Sequence, residues 1–313
     1  MSTTHQPDQQ TGGPNDARDT IVLGGGSRGW LIPLIVGAVV IAVAAGLFLK
    51  LGGGDDEKAV QGSHFSNNFQ IAYQASSASE LAFLEYLDRE IAPDHGITIE
   101  PVGIEDGNQL DQATADGEYI ANIYQHKHWL KQVIDATGME LTALGPVFQW
   151  SYSMYSSKHD SIDDLPEGAE IALLNDPANT AQALWILERA GKITFQDGVD
   201  PWAATENDIE DNIGGYEFTY MEYGAGPRTL DSVDAVIDYN MSFVDAGTPD
   251  EYRIYEPDAP REFAGQLVIG TEYVDDPQVE KLEEIFFDVR VQEYLATNDD
   301  PNLSGQLAPV SAE

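Results

Sequence analysis

Residues 121–130 bring two imidazoles, an amine, an amide, a phenol and an indole into one short stretch, on Tyr124, Gln125, His126, Lys127, His128 and Trp129. An imidazole can serve as a general base, a metal ligand or a hydrogen-bonding group in a pocket, and aromatic rings beside it offer apolar surface with a polar edge. A metal reading requires His126 and His128 on one face, which residues two apart reach only in a strand, and no third ligand accompanies them. Enzyme signatures are missing as well: there is no His-Glu-x-x-His, no P-loop, no Gly-x-Ser-x-Gly and no glycine-rich phosphate loop after a strand. No catalytic residue, metal or cofactor is therefore assigned. Pocket lining and ordinary packing remain, since histidine is intermediate in burial.

Such a cluster acts as one only if regular elements hold it. Residues 69–73 and 97–102 read as strands, and 79–91 as a helix with Leu84, Leu87 and Ile91 at helical spacing. Further strands are expected at 170–174, 235–237 and 267–269. A helix beginning at Asn179, with Leu184 and Leu187 inward, should stop before Gly191, and a final helix over 277–295 aligns Val279, Leu282, Phe286 and Val289. Strands alternating with helices favour a doubly wound α/β fold, whose ligands bind beyond the carboxyl ends of the strands. With Asn179 as N-cap, the turn at 175–179 would present free N–H groups and a partial positive charge suited to a carboxylate. Gln182 would then either touch the ligand or bond back to the backbone of Asn179 in a capping arrangement.

Composition narrows the partners. Fifteen Lys+Arg against 54 Asp+Glu give a formal charge of −39, which excludes nucleic acid and an anionic membrane surface as binding partners. The excess reads as a strongly hydrated surface or as an attraction for a cationic ligand. There is no cysteine, so disulfides, thiolate metal sites and a cysteine nucleophile are excluded. Residues 1–29 lack any apolar period and read as a disordered tail. Residues 30–49 carry no charge over twenty positions, about the span of a bilayer core, and are longer than the roughly 7–15 residues of a signal-peptide core. They are expected to form an uncleaved transmembrane signal anchor. Residues 50–66, with three glycines and four charges in a row, form a flexible linker.

The stretch Ala-Asn-Ile-Tyr-Gln-His-Lys-His-Trp-Leu resembles the Ala-Asn-x-Phe-Gln-His-Lys-Pro-Tyr-Leu signature of the methionine-binding lipoprotein family (NlpA/MetQ-like), the solute-binding subunits of bacterial methionine ABC importers. Three further elements follow in the family's order. They are Tyr152 to Lys158, with Trp150 where an aromatic ligand contact lies; Asn175-Asp176-Pro177-Ala178-Asn179; and Pro227-Arg228-Thr229-Leu230-Asp231 with the strand after it. The resemblance covers about 68–294. It implies a two-lobed periplasmic-binding-protein fold of type 2 with a hinge, lobe 1 being 67–147 plus 262–313 and lobe 2 being 148–261.

The same resemblance implies that L-methionine or an analogue is held in the interlobe cleft and passed to ABC permease and ATPase subunits. It places Tyr124, His126, Trp150, Asn175, Asn179, Gln182, Asp238 and Gln266 around the ligand. It also orients the anchor, with the N-terminus cytoplasmic and the binding domain outside, the peptide replacing a lipid that needs an N-terminal cysteine. Three positions depart from the family: Gln182 stands for the arginine that grips the ligand carboxylate, and Asp238 and Gln266 stand for asparagines. An unreplaced guanidinium would weaken carboxylate binding roughly 10- to 100-fold. Arg228 is a candidate replacement. The alternatives are a less anionic ligand or a non-transport cell-surface protein on the same fold.

Overall fold

The structure, a computed structural model, describes residues 61–311, all of them in the second of two compact units, Glu57–Glu313. The expected span at 30–49 lies outside the described residues, among which no helix is long and apolar enough to cross a membrane.

β1 (Asn68–Gln74) buries Phe69, Ile71 and Ala72, apolar on both faces as a central parallel strand requires. The helix Ala78–Glu90 follows, with the Ser77 hydroxyl accepting from the Glu80 N–H at 3.2 Å as N-cap. It crosses to β2 (Thr98–Ile104), and the helix Gly107–Ala115 leads on to β3 (Ala121–Asn122), both strands lying parallel to β1. The helix Lys127–Thr137 then delivers the chain to β4 (Leu141–Trp150). Ser151 alone separates β4 from β5 (Tyr152–Tyr155), the first strand of a second sheet.

That sheet continues with β6 (Glu170–Leu174) and the helix Pro177–Arg189, after which β7 (Ile193–Phe195) and β8 (Ile209–Asn212) form a separate ribbon. β9 (Glu217–Met221), β10 (Ala235–Tyr239) and β11 (Arg253–Tyr255) complete it in the order β11-β5-β10-β6-β9. The chain returns through β12 (Ala264–Gly270), and with β13 (Leu307–Ala308) the first sheet reads β13-β4-β12-β3-β1-β2. The result is a two-lobed α/β molecule, each lobe built on one sheet, with the chain passing between sheets after β4 and after β11.

Two expectations are corrected. The helix after β6 is capped by Asp176, not Asn179: Asp176 Oδ1 accepts from the Asn179 N–H at 2.9 Å, and Pro177 takes the first helical position, where its missing N–H costs nothing. The final helix is two, Pro277–Phe286 and Val289–Thr297, because Asp288 caps a new start by accepting from the Arg290 N–H.

Candidate functional site

A cavity of about 230 Å³ lies between the two sheets, at the carboxyl ends of their parallel strands. On one side Gln74 ends β1, Glu105 follows β2 and Tyr124 follows β3; opposite, Asp176 follows β6, Tyr223 follows β9 and Tyr239 ends β10. Parallel strands and the turns after them thus supply eight of the fourteen lining residues, the geometry expected for ligand sites in open α/β sheets.

The two walls meet through His126. This residue caps the helix Lys127–Thr137, its Nδ1 accepting from the Trp129 N–H at 3.1 Å. That bond leaves the proton on Nε2, which donates to Asn179 Oδ1 across the cleft at 3.4 Å. The Tyr239 hydroxyl donates to the same oxygen at 2.8 Å, and Asn179 Nδ2 donates to Asp176 Oδ2 at 2.8 Å. Burial holds the imidazole far below its ordinary value, at about 3, so it is neutral at physiological pH. A neutral relay therefore joins the end of β3 to the helix after β6.

Behind the first wall lies Asp111, fully buried on the helix Gly107–Ala115. It accepts from the Tyr124 hydroxyl at 2.5 Å, from Gln125 Nε2 at 2.6 Å and from Asn122 Nδ2 at 3.2 Å. Burial raises this carboxyl to about 6 against the pull of those donors. Gln125 Nε2 also donates to Asn122 Oδ1 at 3.0 Å, which fixes the amide so that Oε1 has no partner. Beside it Glu80 lines the cavity from the first turn of its helix, accepting from the Gln74 N–H at 2.9 Å, with the Trp150 indole N–H nearby but not closing a hydrogen bond. Burial lifts the Glu80 carboxyl to about 8.

Of the residues expected from sequence, Tyr124, His126, Trp150 and Asn179 line this cavity together. The other four stand off it. Asn175 donates to Glu222 Oε1 at 2.6 Å. Gln182 is buried one turn beyond Asn179 with its Oε1 unpaired, and no capping bond returns to Asn179. Asp238 is sealed inside β10, accepting from the Tyr239 N–H at 2.7 Å, its carboxyl raised by burial to about 7. It lies so near Gly226 that a Cβ there would stand 2.7 Å from Oδ2. Gln266 turns its amide back onto the Ala264 carbonyl. Arg228 is not among the lining residues either.

Sequence reasoning passed over Glu80 and Tyr239, and quoted Gln125 and Asp176 within motifs without giving them a place on the cavity. Glu80 had a readable signal: it shares its helical face with Leu84 and Leu87, four and seven residues on, and a lone carboxylate on an apolar stripe invites a reason.

The chain matches the family model described as NlpA lipoprotein over residues 74–309. The D-methionine-binding lipoprotein MetQ of Salmonella typhi is 28% identical over 252 residues, covering 80% of this chain and 89% of that protein. Among solved structures, a nutrient binding protein from Burkholderia cenocepacia bound to methionine superposes with a TM-score of 0.65 at 24% identity, covering 77% of this chain and 98% of that one. Lipoprotein Tp32 from Treponema pallidum gives 0.66 at 26% identity, with the same coverage of 77% and 98%.

Proposed function

The chain belongs to the NlpA lipoprotein family, and on that premise we propose that it is the extracytoplasmic solute-binding protein of an ABC importer. It holds methionine or a related small amino-acid-like compound in the cleft between its lobes and delivers it to the permease and ATPase subunits. It is not an enzyme. The observation that carries the reading is the cavity at the carboxyl ends of strands from both sheets, crossed by the His126–Asn179 bond. A solute that fills the cavity touches both lobes at once, which is how binding can be coupled to their closure.

In this reading the lobes are 67–147 plus 262–313 and 148–261 within a type 2 arrangement, although residues 148–150 still pair in the first sheet as the end of β4. Tyr124, His126, Trp150 and Asn179 are its first ligand contacts. Asn175, Gln182, Asp238 and Gln266, expected on the ligand, would reach it only through the residues in front of them. The twenty uncharged residues at 30–49 anchor the protein as a single cytoplasm-to-outside span, since the chain has no cysteine to carry a lipid. N-terminal sequencing of membrane-purified protein that began after Leu49 would contradict the anchor.

His126→Asn tests the site. Asparagine keeps the N-cap but withdraws the Nε2–H, so affinity in titration calorimetry should fall about tenfold or more while the thermal midpoint stays within a few degrees. Unchanged affinity with a large loss of stability would make His126 a packing residue only.

A further inference from the structure

Resting on the solute-binding reading, we infer that the carboxylate of the bound amino acid is received by Glu80 and the Trp150 indole N–H, on the first-sheet side of the cleft. These two side chains give the cleft its preference for an amino acid over the matching amine.

A carboxylate in this cavity must be met by neutral donors, because among the described residues no lysine or arginine lines it. The donors of His126, Tyr239 and Tyr124 are committed, the first two to Asn179 Oδ1 and the third to Asp111. Trp150 differs. It is 5% exposed, it ends β4 at the cavity, and its Nε1–H is the one buried side-chain donor there, among the described residues, without a partner. A buried donor of this kind is costly until an oxygen arrives to accept from it.

Glu80 lines the same cavity, and the Trp150 N–H lies near its carboxyl without closing a hydrogen bond. The groups that face Glu80 from the neighbouring elements are Tyr73, Tyr124, Tyr223 and Tyr239, phenols that burial keeps protonated. Burial holds the Glu80 carboxyl at about 8, so at pH 7 it is an acid with a proton to donate. Oε2 accepts from the Gln74 N–H at 2.9 Å, which leaves that proton to Oε1. A protonated carboxyl and an indole N–H can serve the two oxygens of one carboxylate by charge-assisted hydrogen bonds. The ammonium of the same amino acid has the carboxylates of Glu105 and Asp176, which also line the cavity.

Glu80 must keep its proton to face a carboxylate. Affinity is therefore full well below pH 8 and is lost as pH rises through it, by about fourfold between pH 6 and 8.5.

Titration calorimetry on the intact protein compares L-methionine with 3-(methylthio)propylamine, the same side chain without the carboxylate. At pH 7 the wild type should bind methionine at least about tenfold more tightly than the amine. Trp150→Phe keeps a ring and loses the N–H, and Glu80→Met loses the acid. Each should weaken methionine about tenfold more than it weakens the amine. Glu80→Gln restores a donor and should recover most of that loss. Between pH 6 and 8.5 its methionine affinity should fall about fourfold less than that of the wild type, a comparison that cancels the titration of the ligand itself. Amine binding as tight as methionine in the wild type, equal weakening of both probes by Trp150→Phe, or a pH dependence that Glu80→Gln leaves unchanged overturns the inference and leaves the solute-binding reading intact. Silence from both probes in the wild type overturns the methionine-like reading and the inference with it.

Discussion

On the first-sheet side of the cleft, Asp111 gathers Tyr124, Gln125 and Asn122 into a closed network. Every polar side-chain atom of that network has a partner except Gln125 Oε1, and outside the network Trp150 Nε1 on the same sheet is unpaired too. On the second-sheet side, Ser153 Oγ, Gln182 Oε1, Asp238 Oδ2 and Asn240 Oδ1 are all buried without partners, and Asp238 lies directly across the β5–β10 ladder from Ser153. A buried polar atom left unpaired costs about 1–3 kcal/mol. The network around Asp111 therefore holds its side chains in one arrangement, whereas the second side gives up stability at four buried atoms, two of them on Gln182 and Asp238, where the sequence leaves its family's pattern. The difference teaches that the network around Asp111 is the more firmly ordered of the two, with Gln182 and Asp238 buried behind the second side.

The largest effect should come from opening the closed network. Asp111→Ala strands the Gln125 and Asn122 amides and the Tyr124 hydroxyl, so denaturant unfolding should show a loss of about 3 kcal/mol or more, together with weakened ligand binding. A loss below about 1 kcal/mol would mean that water replaces the carboxylate and the walls are not as different as argued.

An intermediate effect is expected from pH. Glu80, Asp238 and Asp111 are carboxyls raised by burial, to about 8, 7 and 6. Their folded-state values lie above the unfolded ones, so over the interval from about pH 4 to 8 the folded protein holds more protons than the unfolded chain. Stability should fall as pH rises through that interval. Asp238→Asn should remove its share of the fall between about pH 4 and 7 and raise unfolding free energy at pH 8 by on the order of 1–2 kcal/mol, since an amide cannot ionise. A wild-type midpoint that rises from pH 5 to 8 would contradict the burial of these groups.

The smallest effect is expected at Gln182. Gln182→Met keeps the shape and removes the unpaired Oε1, so stability should be unchanged or higher by up to about 1 kcal/mol with affinity unaltered. Weaker ligand binding would return Gln182 to the contact role that the family pattern implies.

The contrast between walls also explains what could be read from the sequence. Tyr124, His126, Trp150 and Asn179 lie in contiguous motifs at strand ends, where local order maps directly onto the cleft. Glu80 and Tyr239 were harder to place: Glu80 reaches the cleft by the packing of its helix against β1, and Tyr239 lies two residues beyond the strand run that was recognised. The displaced cap had a local cause. Asp176 and Asn179 are both good N-caps three residues apart, and Pro177 decides between them by favouring the first helical position. The divided C-terminal helix was hidden by an apolar period that runs on through Val289, which the Asp288 cap leaves 69% exposed.

The most direct measurement of the central claim is native mass spectrometry of the intact protein purified without refolding, before and after addition of 3-(methylthio)propylamine and L-methionine. A one-to-one complex with a small molecule, formed by the wild type and lost in His126→Asn, is the predicted result. A bare chain mass under every condition, or a complex that His126→Asn retains in full, would contradict the assignment of this cleft as the solute site.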